Sequence, residues 1–122
     1  MVERISRLNR LTLSRDWARM RTGGNPTRGR HVILVRIAAP GEPTRVGFVA
    51  SRRSVGNAVQ RNRARRRIRE IVRRRWARVP HEGWLVMFVA GRSALTAPHQ
   101  DLASDVERVL DGAGLLAPLV IP

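Results

Sequence analysis

Between Arg52 and Arg78 the chain carries twelve arginines, at positions 52, 53, 61, 63, 65, 66, 67, 69, 73, 74, 75 and 78, against one acid, Glu70. A stretch so charged can join a folded core only by turning its few apolar residues to one side. At about 100° per residue, Ala64, Ile68, Ile71 and Val72 share a stripe roughly 100° wide. The spacing therefore predicts a helix over 58–77, about 30 Å long, with that stripe against a sheet and Asn57 as its N-cap. Asn62, Arg66, Arg69 and Arg73 fall in a second stripe roughly 60° wide, flanked by Arg65 and, at the first turn, Arg61. Long cations at i, i+3, i+4 and i+7 repel one another, and this stripe contains no acid to relieve them. A merely solvated face mixes its signs. A row of bidentate donors headed by an amide suits a phosphate backbone.

The rest of the chain supplies what this helix packs on. Ser14 can cap a short helix with Asp16 in its first turn, Trp17 and Met20 along it, and an end at Gly23-Gly24-Asn25-Pro26. Residues 31–38, with Val32, Ile33, Leu34, Val35 and Ile37, read as a buried strand. The Pro40-Gly41-Glu42-Pro43 turn leads to a second strand over 45–51, antiparallel to the first as a hairpin. Residues 84–90 form a third strand. Thr96 can cap a last helix through Leu110, with Leu102, Val106, Val109 and Leu110 on one face. The order helix-strand-strand-helix-strand-helix predicts a small α+β sandwich with a mixed central sheet. One domain over residues 1–122 is expected, with a basic, weakly ordered arm over 1–12 and a short apolar tail over 113–122.

The charge narrows the partners. Twenty-four basic residues, every one arginine, face nine acids for a net charge of +15. A GC-rich coding sequence also favours arginine over lysine, so the missing lysine is not read as function; the net charge is. Such a charge asks for a polyanion. No run approaches the roughly 20 apolar residues of a membrane span, and Arg4, Arg7 and Arg10 break any secretory signal. With no cysteine, a reducing compartment, the cytoplasm, is expected. DNA fits poorly: no helix precedes 58–77 at helix-turn-helix spacing, and no heptads follow it. Folded RNA, recognised through phosphates and shape, fits better. Catalytic chemistry is not visible. His31, His81 and His99 lie on unrelated segments; Asp101, Asp105, Glu107 and Asp111 read as the wet face of the last helix. No glycine-rich phosphate loop or Gly-x-Ser-x-Gly occurs, so neither catalytic residues nor metal ligands are assigned. A ribosomal-type or other structural RNA-binding protein, a DNA-binding regulator and an anionic-membrane helix are the competing classes.

One stretch is more specific. Val55-Gly56-Asn57-Ala58-Val59-Gln60-Arg61-Asn62-Arg63-Ala64-Arg65-Arg66-Arg67-Ile68-Arg69-Glu70 resembles the signature of the protein subunit of bacterial ribonuclease P. Arg45-Val46-Gly47-Phe48-Val49-Ala50-Ser51-Arg52-Arg53 resembles the strand that precedes it there. Leu13-Ser14-Arg15-Asp16-Trp17 resembles that family's first helix, and residues 84–92 its last strand; the likeness runs from about Leu8 to Leu110. It implies a small α/β sandwich with a left-handed strand-helix-strand crossover, where general rules favour the right-handed one. It implies a protein that binds a large catalytic RNA and the single-stranded 5′ leader of precursor tRNA, with hydrolysis and its Mg²⁺ belonging to the RNA and no cofactor on the protein. Matching positions assign Arg52, Arg53, Arg61, Asn62, Arg66 and Arg69 to the RNA-subunit surface, which Arg65 and Arg73 extend by helical position. Trp17 and Val35 map to the leader cleft. Arg21 and Val35 stand where the family often has aromatics, which leaves stacking to Trp17.

Overall fold

The computed structural model describes residues 5–12 and 14–119. Its elements are α1 (Ser14–Gly23), β1 (Asn25–Arg28), β2 (Val32–Pro43), β3 (Arg45–Val49), α2 (Ala58–Arg73), β4 (Glu82–Ala90) and α3 (His99–Gly112), with short 3₁₀ turns at Arg7–Asn9, Trp76–Arg78 and Arg92–Leu95. The strands form one sheet in the order β1-β2-β4-β3. β1 and β4 flank β2 antiparallel, and β3 runs parallel to β4. The mixed α+β sandwich expected from the sequence is the one found.

The expected hairpin is not. β4 lies between β2 and β3, so the two strands are never hydrogen-bonded neighbours. What reads as a turn at Pro40–Pro43 is a bulged continuation of β2, in which Gly41 takes φ +79 and the register with β4 shifts between Ala39 and Pro43. A positive φ costs glycine nothing, so the bulge passes without strain. Residues 45–49 find a parallel partner in 85–89, and α2 is the crossover between them. β1 was also not expected. Pro26 reads as a breaker, yet it sits opposite Val35 on an edge strand, where the missing donor is tolerated.

Two helix bounds and the N-terminal arm differ from the expectation. α2 stops at Arg73 and tightens into the 3₁₀ turn that buries Trp76. α3 starts at His99, after Pro98, because Thr96 closes the 92–95 turn instead of capping the helix. Part of the expected loose arm lies on the sheet: Ile5 and Leu11 are buried, and the Leu11 amide donates to the Val46 carbonyl at 2.9 Å.

The sheet has two unlike faces. On one, Ala64, Ile68, Ile71 and Val72 of α2 and Leu102, Val106, Val109 and Leu110 of α3 close the main core over Val32, Leu34, Val86 and Phe88. All four residues of the predicted α2 stripe are fully buried. On the other face α1 covers only part of the sheet, through Met20 and Trp17 against Leu11, Ala39 and Leu85.

Candidate nucleic-acid interface

The start of α2 is fixed by a reciprocal cap. The Asn57 side chain accepts from the Gln60 amide while the Gln60 side chain accepts from the Asn57 amide, each at 2.9 Å. This satisfies two of the free amides of a helix end and sets the rotation of every arginine that follows.

Those arginines divide by what they touch. Arg67 donates to the carbonyls of Ala94 and Ala97, Arg75 to Glu107 and the Ile71 carbonyl, and Arg78 to the Ala117 carbonyl. These three fasten α2 and the turn after it to the body of the protein. Arg73 is held by Glu70, which Arg74 also approaches, so the outer stripe does have an acid beside it at its C-terminal end. The Arg73 hydrogen bonds hold the Glu70 carboxyl below its ordinary range. Among the described residues, no carboxylate pairs with Arg52, Arg53, Arg61, Arg63, Arg65, Arg66 or Arg69. Arg65 bonds only the neutral Asn62 side chain. Arg61 stands at the seam with the core, its Nε buried without a partner. The Arg69 guanidinium lies 5.6 Å above the Phe48 ring, and Phe48 is itself stacked on Phe88 at 5.8 Å. A cation so placed keeps its edge donors free while its stem is ordered.

The second expected site lies on the other face of the sheet. Cross-strand pairing puts Val35, Met87 and Gly47 in one row and Ile33, Val89 and Val49 in the next. The valines, Ile33 and Met87 are only half-buried, and together they form an open apolar floor. Trp17 stands half-buried at its edge and packs with Val35 and Met87 around one apolar cluster. A methyl group on Gly47 would come within 2.7 Å of the Trp17 ring, so the glycine is what lets the indole lie on β3. The structure thus groups Trp17 with Val35 on one side of the sheet and the arginines of α2 on the other, with Arg52 and Arg53 exposed in the loop before α2.

Sequence reasoning missed what holds α1 in place. Asp16, fully buried, accepts from Arg45 Nε at 2.8 Å and Nη2 at 3.1 Å. Glu42 accepts from Arg45 at 2.8 Å and from both Arg19 terminal nitrogens at 3.2 Å. The Arg19 hydrogen bonds, then those from Arg45, push the Glu42 carboxyl down to about 2. Asp105 is a second correction. It is buried rather than on a wet face, and it accepts from the backbone amides of Arg30, His31 and Val32 at 2.8, 2.7 and 3.1 Å. Gly47, inside a run of β-branched and aromatic residues, is a sequence signal that could have marked the close approach of Trp17 to β3.

These features define a cationic α+β protein with an arginine-rich, acid-poor outer helix face. The Ribonuclease P family profile matches residues 5–114. The ribonuclease P protein component of Symbiobacterium thermophilum is 41% identical over 108 residues, spanning 88% of this chain and 90% of its own length. That of Herpetosiphon aurantiacus is 36% identical over 113 residues, spanning 91% and 89%. The RNase P proteins of Staphylococcus aureus and Thermotoga maritima superpose with TM-scores of 0.77 and 0.72, each at 22% identity, over 88% and 84% of this chain and 97% and 96% of theirs. The chain belongs to the ribonuclease P protein family. Its class is therefore the protein component of an endoribonuclease.

Proposed function

We infer that the chain is the RNA-binding subunit of the ribonuclease P ribonucleoprotein, which removes the 5′ leader from precursor tRNA in the cytoplasm. The outward face of α2 and the loop before it, with Arg52, Arg53, Arg61, Asn62, Arg65, Arg66, Arg69 and Arg73, bind the catalytic RNA. Trp17 and Val35, at the open floor of the sheet, bind the leader. The observation that carries this reading is the division among the arginines. Those turned inward are satisfied by carbonyls and Glu107, whereas among the described residues the outward ones, Arg73 and Arg74 apart, pair with no acid and present their donors to whatever approaches.

The chain's own residues bind and orient, and hydrolysis is assigned to the RNA with its Mg²⁺. Five of the nine acids are already committed. Asp16, Glu42, Glu70 and Glu107 are held by arginines, and Asp105 by three amides. Among the described residues no three of His, Asp or Glu come close enough to share a metal. A polyanion over Arg66 and Arg69 relieves like-charge repulsion along the helix. A single-stranded leader offers unpaired bases for stacking on Trp17.

Reconstitution with ribonuclease P RNA and leader-bearing precursor tRNA tests the whole reading. Protein alone should leave the precursor intact, RNA alone should cleave slowly at high Mg²⁺, and the pair should cleave at low Mg²⁺. Leader removal by RNA-free protein would overturn it. Tight binding to the RNA with no gain in cleavage would favour a purely structural RNA-binding protein.

A further inference from the structure

The two surfaces meet in a hollow that also takes in Arg10 and the 5–12 segment, which neither assignment uses. Around the edge of β3, where the 5–12 segment pairs with Val46, a cavity of about 380 Å³ is lined by Leu11, Trp17, Phe48, Arg10, Arg69 and Arg73, with Thr12 and Gly47 among the remaining walls. Three arginines and no acid line it. Arg73 already has Glu70, but among the described residues Arg69 has only the Phe48 ring and Arg10 only a 3.4 Å contact with the Ile5 carbonyl. Among the described residues no carboxylate pairs with either, so the fold brings two guanidinium groups, 59 positions apart in sequence (69 − 10), to one apolar hollow. Cations converge like this at a cost unless an anion sits between them.

We propose that this hollow binds one unstacked ribonucleotide, its base among Leu11, Trp17 and Phe48 and its phosphate between Arg10 and Arg69. The volume suits a small planar ligand. The chemistry is mixed as a nucleotide requires, with aromatic and aliphatic walls for a ring and paired forks for a phosphate. The proposal makes Arg10 an RNA-binding residue and the 5–12 segment a wall of the site. It rests on the RNA-binding reading above. The nucleotide can come from the RNA subunit or from the leader, and the two sources are separable.

The test uses reconstituted holoenzyme and full-length protein. Arg10→Gln removes a charge at an exposed position. Thr12→Phe, also exposed, fills the hollow and keeps the charge. Arg92→Gln removes an equal charge from an exposed turn outside the hollow. Far-ultraviolet circular dichroism and melting confirm that all three fold. Arg10→Gln and Thr12→Phe should each weaken binding by roughly 10-fold or more, the scale of one charge-assisted hydrogen bond, whereas Arg92→Gln should change it less than about 2-fold. A loss in affinity for the RNA subunit alone identifies that RNA as the source. A loss confined to leader-bearing precursor, with mature tRNA unaffected, identifies the leader. Equal effects of Arg10→Gln and Arg92→Gln, or a Thr12→Phe variant that binds like wild type, would overturn the proposal. Failure of the wild-type protein to bind the RNA would instead remove the reading on which it rests.

Discussion

Replacing Trp17 by alanine separates packing from recognition. The ring is half-buried against β3 at Gly47 and joins the small cluster with Val35 and Met87. An aromatic side chain of this kind buries roughly 150–250 Å² when fully enclosed. About half of that at ~25 cal/mol per Å² gives roughly 2–3 kcal/mol of stability lost in Trp17→Ala. A domain stable by about 5–15 kcal/mol survives this, so binding can be measured on folded protein well below its melting point. If the exposed half of the ring stacks on a leader base, truncation forfeits a further ~1–3 kcal/mol of binding, which is about 5- to 150-fold in affinity. The assay compares three affinities in one preparation: RNA subunit, leader-bearing precursor and mature tRNA. Only the precursor should weaken, and Trp17→Phe should recover most of the loss. Equal losses for precursor and mature tRNA would refute the stacking argument and leave Trp17 a packing residue.

Three further outcomes follow from the geometry. Ile68→Ala empties a fully buried site under α2 and should cost about 2–5 kcal/mol by chemical denaturation, without flattening the salt dependence of RNA binding in the protein that remains folded. Asp105→Ala strands the amides of Arg30, His31 and Val32 and should cost about 3 kcal/mol or more; a variant as stable as wild type would mean that water replaces the carboxylate. Glu42, held down to about 2 chiefly by Arg19 and then Arg45, contributes stability that is fully present above the ordinary carboxylate range and lost as pH falls toward 2. The melting difference between wild type and Glu42→Gln should therefore shrink as pH is lowered from about 5 to about 2, and a constant difference would deny the network that role.

What the sequence disclosed depended on how local the signal was. The inward stripe of α2 could be read because four apolar residues recur at helical spacing among charges, and the geometry leaves them one direction to face. The outward stripe followed from the same arithmetic, except that Glu70 at i−3 reaches Arg73 where the stripe alone suggested an unrelieved cation. Strand pairing was not local. Arg45–Val49 lies two residues after β2 yet pairs with Leu85–Val89, and nothing in residues 40–51 shows that β4 will come between. Asp105 looked solvated because its helical neighbours are; its partners are backbone amides some 75 positions away. The cleft residues Trp17 and Val35 were named through family likeness. The structure then brought them to one side of the sheet by a mechanism no pattern displayed, the Asp16–Arg45–Glu42–Arg19 network beneath α1.

The salt dependence of affinity for the ribonuclease P RNA tests most directly whether the outward face of α2 holds that RNA. Each phosphate contact contributes about 0.7–0.9 log units of affinity per log unit of salt. Arg66→Ala, which removes an exposed side chain with no acidic partner, should flatten the slope by about one contact and leave the melting temperature unchanged. Arg75→Ala, which breaks the bonds to Glu107 and the Ile71 carbonyl, should lower the melting temperature and leave the slope as in wild type. The opposite pattern, an Arg66→Ala variant with the wild-type slope and an Arg75→Ala variant with a flattened one, would show that the RNA lies against a different side of the helix.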